Sequence, residues 1–235
     1  MNLQQLDILA FGAHPDDVEI GMAGTLATYV NDGYRVGLCA LTKAELSSNG
    51  SVEARQKEAE RAAEAIGASR FQFSFSDRGL PSVTPNELAQ VVALIRKTRP
   101  RLVFAPEGDR HPDHGECGEL VREAVFNAGI RRYQTPESEV AHKPEALFTY
   151  FINGYGRPDF VVDITKVQDK KREALQAYKS QFQPIEGVST PLTDDYIEAV
   201  EARDKLFGKE VGVAAAEGFC SRLPLLMGNL LERND

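Results

Sequence analysis

Two short clusters hold the residue types that do chemistry. The first is "FGAHPDDVEIG", Phe11 to Gly21, where an apolar run meets a histidine, a proline and two adjacent aspartates. The second is "DRHPDHGE", Asp109 to Glu116, which repeats His-Pro-Asp. Imidazole nitrogen and carboxylate oxygen are both good zinc ligands, and a catalytic zinc typically takes three protein ligands plus water. His14, Asp17 and His114 make such a set. His14 and Asp17 sit on a turn entering a helix, where both can face one centre, and Pro15 restrains that turn. Asp16 is then left beside the bound water, as a carboxylate able to accept a proton when the water attacks. His111 stands opposite, for an oxyanion or a leaving amine, and Asp113 is placed to hold its imidazole. One divalent ion per chain is expected, zinc first, with Fe2+, Co2+ or Mn2+ accepted by the same donors. Taken singly, either cluster also reads as a surface turn, with an aspartate capping the following helix.

The elements around the clusters decide between those readings. "LDILAFGA" is a nearly continuous apolar run, as in a parallel strand buried on both faces. "DVEIGMAGTLATYVNDG" has helical spacing and stops at Gly33, and "YRVGLCALT" reads as a second strand. After the loop "AELSSNGS" comes the amphipathic helix "VEARQKEAERAAEAIGA", ending at Gly67, and then the strand "RFQFSFS". Thr84, Pro85 and Glu87 form a capping box at the start of "TPNELAQVVALIRKTRP", Pro100 ends that helix, and "RLVFAPE" is a fourth strand.

This alternation predicts an α/β fold: a Rossmann-like, mostly parallel sheet in 3-2-1-4-type order, with helices on both faces. In that order strands one and four are neighbours, so His14 meets His111 and His114 in the crevice where open α/β sheets bind ligands. The second half is less regular. "CGELVREAVFNAG", "KVQDKKREALQAYKSQF" and "DDYIEAVEARDKLFGKE" read as helices, "EALFTYFI" and "DFVVDIT" as strands, and "PIEGVSTPL" as a loop. One domain over residues 1–235 is expected, because the two clusters have to meet. Residues 1–130 form its Rossmann-like core and 131–235 complete the sheet and the site rim.

Composition narrows the function classes. The chain has 235 residues, 42% hydrophobic and 26% charged, with a net charge of −8. That acidity argues against nucleic acid or an anionic membrane as partner. No apolar run approaches the length of a membrane span, and the N-terminus lacks signal-peptide character, so a cytoplasmic protein is expected. Cys39, Cys117 and Cys220 are too few and too scattered for a disulfide framework. The turn after strand one carries two aspartates where a dinucleotide's pyrophosphate needs glycines, which excludes NAD or ATP there. His142, in "EVAHKPEA", reads as a surface residue.

With "AHPDD" followed by "HPDH", the chain resembles the PIG-L/LmbE-like family of zinc-dependent N-acetylglucosaminyl deacetylases. The runs "DILAFGAHPDDVEIGMAGTLA", "LTKAELSSNG" and "EARQKEAERAAEAIGA" are similar to its bacillithiol-biosynthesis branch, which deacetylates N-acetylglucosaminyl-malate. The resemblance implies His14, Asp17 and His114 as metal ligands, Asp16 as general base, and His111 at the oxyanion or leaving group with Asp113 behind it. It also implies a sugar-contacting arginine in an Arg-x-x-Glu setting, met here by Arg55 with Glu58. Arg110, beside His111, is placed to reach an anionic aglycone. Mycothiol-pathway relatives carry a tyrosine where this chain has Asp109. Members of the bacillithiol branch are hexamers, so a homo-oligomer is expected. The competing readings are deacetylation of another sugar conjugate, and a carbohydrate-binding module with a vestigial metal site.

Overall fold

The computed structural model describes residues 5–183 and 190–226. Its centre is one seven-stranded sheet in the order β3-β2-β1-β4-β5-β7-β6. The strands are β1 (Ile8–Gly12), β2 (Val36–Thr42), β3 (Ser69–Phe75), β4 (Leu102–Pro106), β5 (Ala146–Tyr150), β6 (Phe160–Asp163) and β7 (Ala216–Cys220). β1 pairs in parallel with β2 and with β4, β2 with β3, and β4 with β5. β7 enters antiparallel between β5 and β6. The 3-2-1-4 core is therefore as the alternation predicts, and β5 to β7 extend it on the β4 side.

Every residue of β1 and β2 is buried, which accounts for their unbroken apolar runs. Successive side chains of β1 enter opposite layers. Ile8 and Ala10 pack under α1 (Asp17–Asn31), α2 (Val52–Ile66) and α5 (Gln168–Ala177), while Leu9 and Phe11 pack under α3 (Pro85–Thr98) and α4 (Pro112–Ala128). Both layers are closed, so the ends of the strands are the places left for a site.

Three features depart from the expectations. The helix over "KVQDKKREALQAYKSQF" breaks at Tyr178 into α5 and the short α6 (Lys179–Phe182). α4 begins already at Pro112, so Asp113 and His114 lie in its first turn and not in a preceding loop. β7 carries no strand signal of its own, because "AEGFC" is short and mixed in polarity, and its partners β5 and β6 lie far away in sequence. The helix over "DDYIEAVEARDKLFGKE" is α7 (Tyr196–Val211). Of the loop expected over 184–192, residues 184–189 lie outside the described residues.

α1 is interrupted: Met22 leaves helical geometry at φ −153 and ψ 22. Backbone groups released by the break find side chains from the far end of the chain. The Glu217 carboxylate on β7 accepts Gly24 N–H at 3.0 Å and Thr25 N–H at 2.6 Å. Arg203 of α7 donates to Ile20 O at 2.8 Å, and also to Phe151 O at 3.1 Å and Ile152 O at 2.7 Å. Lys171 of α5 pairs with Glu217 at 2.7 Å and Asp204 at 2.6 Å, so the buried charges are matched.

At α3 the capping box is complete, with Glu87 N–H donating to Thr84 Oγ1 and Thr84 N–H donating to Glu87 Oε2. Thr84→Ala should lower stability by about 1 kcal/mol. The check is a reduced denaturant midpoint at unchanged m-value, with metal content unaltered because α3 supplies no residue to the crevice.

Candidate metal centre and active site

β1 and β4 end side by side, and the loops that follow them carry the two clusters. Gly12 closes β1 because its neighbour needs the space: a Cβ there would lie 2.8 Å from Asp17 Cβ. Asp17 opens α1 and is buried between two imidazoles. Its Oδ2 lies 3.6 Å from His14 Nδ1 and accepts His14 N–H at 2.8 Å, while its Oδ1 lies 3.3 Å from His114 Nε2. His111 joins the group, its ring 4.8 Å from that of His14 and 4.9 Å from that of His114.

The donor set suits a cation. Ligand atoms about 2.0–2.1 Å from a tetrahedral zinc are about 3.3 Å apart, close to the 3.3 and 3.6 Å separations from Asp17 to the two imidazoles. The far nitrogen of each imidazole meets a carboxylate. His14 Nε2 lies 3.2 Å from Asp77 Oδ1, and His114 Nδ1 lies 2.8 Å from both oxygens of Asp109. Such outer carboxylates set the tautomer of a metal-binding histidine and raise its basicity. Electrostatics agree. Burial opposes charge on His14, but Asp113, Asp17 and Asp77 together push its pKa well above the ordinary histidine value. Burial likewise opposes charge on His114, and Asp17 and Asp109 outweigh it, taking its pKa to about 9. The crevice stabilises positive charge where an ion would sit. Two sets, His14 with His111 and His114, and His14 with Asp77 and Asp113, have donor atoms within 4.8 Å of one another. The second uses the outer side of His14, where Asp113 is already held by Arg78.

Asp16 occupies the N-cap position of α1 yet makes no capping bond, so the helix-cap reading of the doubled aspartate does not hold. Its backbone is left-handed, at φ 105 and ψ −25, a strained conformation for a non-glycine residue. The side chain turns instead toward Arg55, with Oδ2 3.4 Å from Nη1. Burial pushes the Asp16 pKa up to about 7, against the pull of Arg55. Asp17 moves the other way, well below the ordinary carboxylate value, because the imidazoles His114 and His14 overcome its burial.

Arg55 is only 4% exposed and belongs to the site, donating to Pro15 O at 3.1 Å and Ser47 Oγ at 2.9 Å. Glu58 does not pair with it. Its carboxylate instead accepts Ser180 N–H at 2.8 Å and Oγ–H at 2.6 Å, tying α6 to α2. Arg110 opens onto the same crevice and donates to Asn153 Oδ1 at 3.2 Å. His142 lies apart, half-buried, with Nε2 donating to Pro100 O at 2.7 Å. Among the described residues the three cysteines are free.

One expected pairing is corrected. Asp113 does not hold His111. As an early residue of α4 it points inward, where Arg78 takes both oxygens, by N–H at 2.9 Å and by Nη1 at 2.7 Å, and its Oδ2 lies 3.5 Å from His14. His111 Nδ1 is buried with no partner among the described residues. Burial and the neighbouring His14 and His114 push the His111 pKa down, so a neutral imidazole is favoured there and not the protonated one.

Sequence reasoning misses Asp77, Arg78, Asn153 and Tyr196, and sees in Asp109 only an absent tyrosine. Asp77 is within reach of the rule that parallel strands present ligand groups at their carboxyl ends, since it follows β3 directly. Asp109 has a stronger claim: its carboxylate takes His114, the His111 N–H at 2.7 Å, and the backbone and side-chain N–H of Asn153, each at 3.0 Å. Asn153 and Tyr196 arrive from the end of β5 and from α7, and no local pattern announces them; Tyr196 Oη donates to Asn153 Oδ1 at 2.9 Å.

The three histidines, Asp16, Asp17, Asp77, the three arginines, Asn153 and Tyr196 line a cavity of about 510 Å³, together with Ser47, Asn49, Ile152, Gln181 and Leu192. Four residues of its wall hold buried polar atoms with no partner among the described residues: Asn49 Oδ1, Gln181 Oε1, Arg55 Nε and His111 Nδ1. Each such atom costs about 1–3 kcal/mol until a ligand or water meets it.

An open α/β sheet with imidazoles and carboxylates converging at its switch point defines a Rossmann-like protein with a candidate cation site. The chain belongs to the PIG-L family, described as GlcNAc-PI de-N-acetylase, whose model matches residues 9–125. The chain is 30% identical over 187 residues to diacetylchitobiose deacetylase of Thermococcus kodakarensis, covering 74% of this chain and 70% of that protein. A probable N-acetyl-alpha-D-glucosaminyl L-malate deacetylase 2 of Bacillus anthracis is 30% identical over 193 residues, covering 74% and 81%. The 4-oxalmesaconate hydratase of Pseudomonas putida is 26% identical but spans 98% of this chain and 94% of its own. Among solved structures, the conserved protein TT1542 of Thermus thermophilus superposes with a TM-score of 0.87 at 36% identity, covering 96% of this chain and 99% of that one. No helix among the described residues is long and apolar enough to cross a membrane.

Asp109→Asn keeps the shape but leaves one donor N–H facing another. Loss of an outer carboxylate of this kind should weaken divalent-ion binding by about 10–100-fold. Competition with a fluorescent chelator checks this, with thermal unfolding of the metal-free protein as control.

Proposed function

We propose that the protein is a metal-dependent N-deacetylase of N-acetylglucosamine conjugates, with zinc held by His14, Asp17 and His114. The observation that carries the reading is Asp16: a buried carboxylate beside the donor set, in a strained backbone, free of both metal-facing and capping duty. A binding module has no use for such a group, whereas amide hydrolysis requires a base there. Zinc supplies Lewis-acid polarisation and lowers the pKa of water to about 7.

The protein's own groups do the rest. Asp17, between the two imidazoles, has no free oxygen to act as a base. Asp16 accepts the proton of the water that attacks the acetamide carbon, and its pKa of about 7 suits it to give that proton to the leaving nitrogen. His111, neutral and with Nδ1 unpartnered, donates to the developing oxyanion. Asp113 supports the centre from behind His14, through Arg78. Products are acetate and the free amine.

The conjugate we propose is N-acetylglucosaminyl-malate, supported by the relative described as its probable deacetylase and by local charge. The chain is net −8, yet Arg78 and Arg110 open onto the cavity and can meet carboxylates of an aglycone. Hydration is a second reading, favoured by the length of the match to the hydratase. Acetate release from N-acetylglucosaminyl-malate, with 4-oxalmesaconate left unchanged, separates the two.

Asp16→Asn should retain about one metal ion per chain and lose turnover by about 10²–10⁴-fold. Near wild-type acetate release with metal bound would refute the base assignment. His14→Ala, Asp17→Ala and His114→Ala should each lose the ion, which elemental analysis reads directly. Arg110→Ala should raise KM for the malate conjugate more than for uncharged N-acetylglucosamine; an equal effect on both would remove Arg110 from the aglycone end.

A further inference from the structure

Two amide side chains in the cavity wall have no part in the chemistry above. Asn49 follows β2 and is 3% exposed, and Gln181 lies in α6 and is 0% exposed. Each binds the other's backbone. Gln181 Nε2 donates to Asn49 O at 2.8 Å, and Asn49 Nδ2 donates to Gln181 O at 3.4 Å and to Thr190 Oγ1 at 3.1 Å. These bonds fix which way both amides face, because a flip would set carbonyl against carbonyl. They leave Asn49 Oδ1 and Gln181 Oε1 as buried acceptors without a partner among the described residues.

The pair is firmly mounted. Glu58 of α2 holds Ser180, the neighbour of Gln181, through both N–H and Oγ–H. The same helix carries Arg55, whose Nε is a buried donor without a partner among the described residues, and Arg55 reaches Ser47, which bonds to Asn49 N–H at 3.2 Å. A run of contacts therefore leads from Asp16 through Arg55 and Ser47 to the amide pair. The wall offers two empty acceptors and one empty donor. A carboxylate only accepts and an ammonium only donates, whereas a hydroxyl does both.

We propose that Asn49 and Gln181 form a hydroxyl-binding subsite that grips non-reacting ring hydroxyls of the glucosaminide and makes the cavity specific for a sugar. The inference deepens the deacetylase reading and rests on it for the identity of the ring. It divides the cavity into an amide end for the sugar and an arginine end, at Arg78 and Arg110, for an anionic aglycone. The amide end disfavours a substrate whose polar groups are all carboxylates.

The test uses the metal-loaded protein with methyl N-acetylglucosaminide and its 3-deoxy and 4-deoxy analogues. Dissociation constants from calorimetry are measured alongside acetate release. At least one deoxy analogue should lose about 10–100-fold in affinity and in kcat/KM on the wild-type protein. Asn49→Ala and Gln181→Met should show a similar loss with the full sugar, with little further loss on that same analogue. Metal content and unfolding temperature confirm that each variant is folded. Equal affinity of the wild-type protein for all three sugars would overturn the subsite even with both variants unfolded, and so would additive losses in a folded variant. Sugar binding that discriminates the deoxy analogues without acetate release would overturn the deacetylase reading and leave the subsite standing. Absence of both binding and release would overturn both.

Discussion

A carboxylate removed from water has to be met by positive charge or hydrogen-bond donors, and Asp17 meets this requirement with two imidazoles and a backbone N–H. The surrounding arrangement follows from it. His14 and His114 can flank one carboxylate only if β1 and β4 are neighbours, which the strand order provides. Gly12 is bare because Asp17 fills the space a side chain would need. Asp77 and Asp109 then balance the far sides of the imidazoles, so the cluster is anionic around its rim and suited to a cation at its centre.

Much of this is legible in the sequence because it is local. Two His-Pro-Asp clusters, each after a strand in an alternating pattern, place both motifs at one crevice without any coordinates. The capping box at Thr84 and the stop at Gly67 follow the same logic, since the groups that form them are a few residues apart. What escapes is non-local. β7 is a strand only once β5 and β6 flank it, and Asn153 reaches Asp109 only because β5 lies beside β4. For Asp113, adjacency to His111 in sequence does not amount to contact. His111 is the extended N-cap residue and Asp113, two residues on, lies inside the helix, so the two side chains face different partners.

The cavity has an asymmetry that composition hides. A strongly acidic chain lines its cavity with three guanidinium groups, Arg78 and Arg110 nearer solvent and Arg55 buried beside the amide pair. Net charge describes the outer surface that faces solvent and other macromolecules. It says little about a crevice in which Arg55, Arg78 and Arg110 are each tied to a named oxygen and are thereby oriented.

The interruption of α1 at Met22 ties together parts of the polypeptide that are far apart in sequence. Every proposed metal donor lies within residues 14–114. The amides of Gly24 and Thr25, however, wait for Glu217, and the carbonyl of Ile20 waits for Arg203. Without those side chains the backbone groups around the break in α1 would lack the partners they have in the folded chain. The start of the helix that carries Asp17 therefore depends on side chains 183 to 193 residues further along the chain.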